Sequence, residues 1–142
     1  MIRAVVDPNV LVSSRISDQG YPARIARAAD AERFELIISE TLLGELENVL
    51  MRKKFRRYAT VKEVEDFLIG LRVKGRFFDE GEPRRLVPDD PKDDYLVALA
   101  LESGADYLVS GDPHLAGVSP EEITVPILTS RQFGELLESG NR

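Results

Sequence analysis

Four acidic residues of this chain fall where carboxylates can be made to act together. Asp7 ends the first apolar run, Ile2 to Val6. Glu45 lies inside an amphipathic segment, Asp93 opens an apolar helix, and Asp112 follows a second short apolar run, Tyr107 to Val109. Like-charged carboxylates that converge repel one another and titrate abnormally unless a cation neutralises them, so acids at strand ends and helix starts point to a divalent-metal site. The chain has no cysteine and one histidine, which excludes disulfides, thiolate ligands, cysteine nucleophiles and His-rich zinc sites. A metal in this chain would be held mostly by oxygen, which favours Mg²⁺ or Mn²⁺.

Each of these residues also has an ordinary reading. Asp93 suits a helix N-cap, and Asp89, Asp90 and Asp94 compete with it for either role. Glu45 flanks the apolar stripe Leu42, Leu46, Val49 and Leu50 about as closely as Glu47 does on the other side, so periodicity leaves the two equivalent. Asn9 can hold a turn or orient the Asp7 carboxylate. Ser110 can hydrogen-bond a carboxylate or satisfy the loop backbone, and His114 reads as a surface loop residue near Asp112.

The elements that must position these residues alternate short apolar runs with helical patterns. Ile2 to Val6 has the continuous apolar character of a buried parallel strand, and it ends at the turn-forming Asp7-Pro8-Asn9. Pro22 to Ala31 reads as a helix, Leu36 to Ile38 as a strand, and Ser39 as the N-cap of a helix reaching about Met51. A further helix covers Val61 to Leu71, and Phe77 and Phe78 suit a short strand. Gly81 to Lys92, rich in proline and charge, reads as a surface connection to Asp93. Leu96 to Leu101 is apolar nearly all round, as a buried helix is, with Gly104 as its stop. Tyr107 to Val109 and Val125 to Leu128 close the set of strands, and Arg131 to Glu138 is the last helix. This order predicts an α/β domain with helices on both faces of a parallel sheet, and 142 residues fit one such domain, 1–142. Ligands of such sheets bind beyond the carboxyl ends of the strands, where Asp7 and Asp112 both lie.

The formal net charge of -6, from 25 acidic and 19 basic residues, gives no overall attraction for a polyanion. Nucleic acid would need a local patch, and Arg52, Lys53, Lys54, Arg56 and Arg57 supply one, with Arg84 and Arg85 as a smaller pair. The bland reading of that run is the solvated end of a helix, where cations suit the dipole. No stretch approaches the roughly 20 apolar residues of a membrane span, and the run before Asp7 is too short for a signal peptide, so a cytoplasmic location is expected.

The strings VVDPNVLVS, SETLLGELENVL, DPKDDYLVALALESGADYLVSGD and ILTSRQF, in this order and spacing, resemble a PIN domain of the toxin branch of toxin-antitoxin systems. The resemblance runs from Ile2 to about Leu137. It implies a three-layer α/β/α sandwich with a central, mainly parallel sheet. It also implies a metal-dependent ribonuclease whose acids are Asp7, Glu45, Asp93 and Asp112, with Asn9 and Ser110 supporting. It thereby selects Glu45 over Glu47 and Asp93 over Asp94. Two departures stand out: Pro8 replaces a small polar residue, and His114 stands where many members carry one more acid, which leaves the number of metals open.

The implied chemistry is hydrolysis of an RNA phosphodiester, in which a cation activates water, polarises the phosphoryl oxygen and stabilises the leaving oxygen. Basic residues outside the acids would grip flanking phosphates, with single-stranded or looped RNA the favoured substrate. The resemblance further implies a homodimer and a small antitoxin protein as partners. Two other classes compete. One is a catalytically silent RNA- or protein-binding module of the same fold. The other is an aspartyl-phosphate phosphatase with Asp7 as nucleophile, disfavoured because Asn9 stands where its second acid is expected.

Overall fold

The computed structural model of the chain describes residues 1–83, 85–87, 91–111 and 124–140. Among these residues, five strands, β1 (Arg3–Val6), β2 (Glu35–Ile38), β3 (Arg76–Phe77), β4 (Tyr107–Val109) and β5 (Ile127–Leu128), form a sheet of order β3-β2-β1-β4-β5. Every neighbouring pair is parallel. Among the described residues, six α-helices surround it: α1 (Pro8–Ile16), α2 (Tyr21–Asp30), α3 (Glu40–Leu50), α4 (Val61–Lys74), α5 (Asp94–Ser103) and α6 (Ser130–Gly140). The architecture is the expected three-layer α/β/α sandwich.

The central strands are buried on both faces, which is why they read as unbroken apolar runs rather than alternating ones. Ala4, Val5 and Val6 of β1 and Leu108 and Val109 of β4 are wholly inaccessible to solvent. Val6 lies beside Val109 in the parallel register, so the residues that follow the two strands emerge side by side. Helix α5 packs on both β1 and β4 and buries Leu96, Val97, Leu99 and Ala100 completely. Its end is set by Gly104, whose φ of 65° is a left-handed conformation that an L side chain rarely adopts.

Local signals start the other helices. The Ser39 hydroxyl accepts from the Leu42 N–H at 3.1 Å and opens α3. Thr60 and Glu63 form a reciprocal capping box at the start of α4. At Asp7-Pro8-Asn9, where the sequence suggests a turn, the chain instead begins α1, with Asp7 as N-cap and Pro8 in the first turn. Proline costs nothing there, because a first-turn N–H has no partner within the helix. The apolar period of α1 is weak because the helix buries Pro8, Val10, Leu11, Val12 and Ser14, which cover much of its circumference.

Candidate active site

The chain builds outward from β1 to β3 and then returns to place β4 on the opposite side of β1. The strand order therefore reverses between β1 and β4, and an open parallel sheet has its natural crevice beyond the carboxyl ends of such a pair. Asp7 and Ser110 are the residues immediately past those ends. The Asp7 N–H donates to the Val109 carbonyl at 2.9 Å, extending the ladder by one step and fixing the backbone of the acid.

The Asp7 side chain is almost fully buried, at 3% exposure. A carboxylate taken out of water needs donors to stabilise its charge. The Asn9 N–H donates to Oδ1 at 2.9 Å and the Ser110 hydroxyl donates to Oδ2 at 2.7 Å. In this contact Asn9 supports the acid through its backbone, so the bond does not depend on the asparagine side chain. Ser110 supports it through its side chain, across the β1–β4 boundary.

Asp93 and Asp94 are both buried but do different work. Asp94 Oδ1 accepts from the Leu86 and Val87 N–H groups at 2.9 and 2.7 Å, and Oδ2 accepts from Arg85 Nε at 2.9 Å. Burial opposes ionisation of Asp94, but the Val87 and Leu86 N–H groups and the Arg85 guanidinium outweigh it and hold the carboxyl below its ordinary range. Asp94 is thus committed to seating the segment 85–87 on α5. Asp93 occupies the N-cap position of that helix without a side-chain capping hydrogen bond. Capping, the ordinary explanation for an aspartate there, is not what its carboxylate does.

Glu45 lies on the exposed side of α3, yet it is tethered. The Tyr95 hydroxyl, from the first turn of α5, donates to Glu45 Oε2. Ionisation of the Tyr95 phenol is opposed first by burial, then by that hydrogen bond, and then by the negative charges of Glu45, Asp7 and Asp93. Of the expected acids, Glu45 is the one whose carboxylate accepts from this hydroxyl. Nothing in the sequence singles out Tyr95, because an aromatic residue at the start of an apolar helix looks like core. Its distinguishing signal, a partner 50 positions away, is spatial.

Asp112 and His114 lie outside the described residues, as do Arg84, Asp89 and Asp90. Among the described residues, no three His, Cys, Asp or Glu side chains gather closely enough to hold a metal ion. The donors that are present, carboxylates and hydroxyls without sulfur or imidazole, have the hard-oxygen chemistry that Mg²⁺ and Mn²⁺ require. A cleft of about 370 Å³ opens onto Asp7 and is lined by Asn9, Ser13, Gly111 and Ser130 among others. Two larger concavities, of about 860 and 650 Å³, have no contact with Asp7, although the first reaches Tyr95.

The basic run is divided. Arg56 donates to the Leu50 carbonyl at the end of α3, and Phe55 is buried, so this part of the run closes the helix as the bland reading expects. Arg52, Lys53, Lys54 and Arg57 remain exposed. No helix among the described residues is long and apolar enough to cross a membrane.

A protein-family model described as PIN domain matches residues 3–114. No curated protein matches the chain. Among solved structures, PAE2754 from Pyrobaculum aerophilum superposes with a TM-score of 0.66 at 14% identity, over 97% of this chain and 90% of that one. VapBC2 from Rickettsia felis, in a structure bound to a DNA fragment from its promoter, superposes with a TM-score of 0.60 at 15% identity, over 90% of this chain and 98% of that one. At these identities the two likenesses speak for the fold.

Proposed function

The chain belongs to the PIN domain family, whose members are generally nucleases, and on that basis we propose that it is an endoribonuclease dependent on Mg²⁺ or Mn²⁺. The observation that carries the reading is the buried Asp7 carboxylate at the β1–β4 switch point, held by donors from two elements. A carboxylate buried beyond the carboxyl ends of two central strands lies where an open parallel sheet binds its ligands.

Asp7, Glu45, Asp93 and Asp112 would hold the metal. When bound, such a cation neutralises the phosphodiester and promotes attack by water and departure of the leaving oxygen. The chain's own residues supply the rest. Ser110 and the Asn9 N–H keep the Asp7 carboxylate aimed, and one carboxylate of the set accepts the proton of the attacking water. Ser13, Ser130 and Gly111 shape the cleft beside Asp7 without adding charge. Arg52, Lys53, Lys54 and Arg57 contribute salt-dependent attraction to flanking phosphates.

The toxin role is part of the same proposal. It extends to a small antitoxin protein as partner and to a homodimeric, cytoplasmic form of this single-domain chain, as the sequence resemblance implies. A short reading frame beside the gene, whose product relieves growth arrest on co-expression, is the expected result.

The nuclease reading is tested by cleavage of a labelled single-stranded RNA panel with Mg²⁺, Mn²⁺ or EDTA, comparing the wild type with Asp7→Asn. Metal-dependent cleavage that falls at least about 100-fold in the variant is expected, the scale of losing a charge-stabilising group. Metal-insensitive cleavage, or equal rates, would overturn the assignment. Binding of RNA without cleavage would favour the silent module.

A further inference from the structure

Glu45 poses a mechanical problem for any site built on these acids. It projects from an exposed position on α3, whereas Asp7 follows β1 and Asp93 precedes α5. A glutamate with three side-chain torsions in water has many rotamers, of which few would present its carboxylate to the other acids. Glu47, two residues further along α3, shows the alternative fate: it is exposed and acts on the Arg72 guanidinium by charge.

Tyr95 solves the problem from the other side. Its position in the first turn of α5, two residues after Asp93, ties its ring to the helix that packs on β1 and β4. The ring is half-buried, so its direction is set by packing, and its hydroxyl donates to Glu45 Oε2. Tyr95 thus links Glu45 of α3 to the N-terminal turn of α5, the turn that Asp93 precedes. A hydroxyl donor engages one oxygen of a carboxylate and leaves the group with further acceptor capacity.

We propose that Tyr95 is a positioning residue for Glu45, its hydroxyl fixing that carboxylate toward the helix that Asp93 opens, so that fewer of its rotamers remain to be ordered when a divalent cation draws the acids together. This inference rests on the nuclease reading of the acids and adds to it an aromatic residue that touches neither metal nor RNA. Outer partners of this kind orient a ligand and lower the entropy lost when the metal binds.

The test is Mn²⁺ binding by titration calorimetry to the full chain, as wild type, Tyr95→Phe, Glu45→Gln and the double variant, with thermal melting of each in EDTA. Phenylalanine keeps the ring and its packing and removes only the hydroxyl. Tyr95→Phe should weaken Mn²⁺ binding by about 10- to 100-fold while its melting in EDTA stays close to that of the wild type. In the Glu45→Gln background the same change should alter affinity less than about twofold, because the effect passes through Glu45. Equal or tighter Mn²⁺ binding by Tyr95→Phe, or an equal loss in both backgrounds, would overturn the inference alone. A wild type that binds no Mn²⁺ would overturn the nuclease reading and this role with it.

Discussion

The Ser110 hydroxyl donates to Asp7 Oδ2 at 2.7 Å, joining residues 103 positions apart across the point where the strand order reverses. Both side chains are buried, and each follows directly on the end of its strand. The bond thus couples the β1–β4 register to the orientation of the acid, and a shift of either strand by one residue would break it.

Ser110→Ala should destabilise the protein by about 1–3 kcal/mol, the cost of depriving a buried charged acceptor of its donor. Urea unfolding measures this. RNA cleavage by the variant should fall too, because the Asp7 carboxylate loses one of its anchors. A change below about 0.5 kcal/mol would show that the bond does not hold the carboxylate.

Asp94 predicts a pH dependence that is separate from catalysis. Its carboxyl is held below the ordinary range, so it binds a proton more readily unfolded than folded. Its contribution to stability is therefore present above the unfolded pKa, about 4, and is lost as the pH falls through the lower folded value. Asp94→Ala should lose about 1–3 kcal/mol at pH 7 and a smaller amount in acid, so the two stability curves should converge at low pH. Parallel curves would rule out this role.

The exposed cations make a prediction about salt. Replacing Arg52, Lys53, Lys54 and Arg57 together by alanine should weaken RNA binding and flatten the slope of log affinity against log salt, by about 0.7 for each single-strand phosphate that is no longer neutralised. Arg56→Ala should act differently. It removes the donor to the Leu50 carbonyl at the end of α3, so it should lower thermal stability. Fluorescence anisotropy against salt, with melting curves, separates the two effects; an unchanged slope in the fourfold variant would remove this patch from the RNA interface.

Much of the fold was legible because burial wrote it into short runs. Val5 and Val6, Ile37 and Ile38, and Leu108 and Val109 lie in strands with no polar interruption there, and Ser39 and Gly104 mark helix ends by mechanisms that act within a few residues. Helix α1 was not legible, since Asp-Pro-Asn serves turns and helix starts alike and the helix buries too much of its circumference to show a period. The last strand is shorter than Val125 to Leu128 because Pro126 has no N–H for the ladder, and its carbonyl alone pairs, with the Leu108 N–H at 3.0 Å.

At the candidate site, residue types and spacing pointed to Asp7, but they left Glu45 level with Glu47 and Asp93 level with Asp94. The resemblance chose within each pair. The structure supplies physical differences that the sequence does not contain: Asp94 is bound by backbone donors seven and eight residues earlier, and Glu45 by a tyrosine on another helix.

Whether these acids share a divalent cation is decided by a crystal grown with Mn²⁺ and measured for manganese anomalous scattering. A peak is expected beyond the carboxyl ends of β1 and β4, at about 2.0–2.3 Å from oxygens of Asp7 and at least one of Glu45, Asp93 and Asp112, with no peak there in Asp7→Asn. A peak only at other carboxylates, or none at saturating Mn²⁺, would refute the shared site.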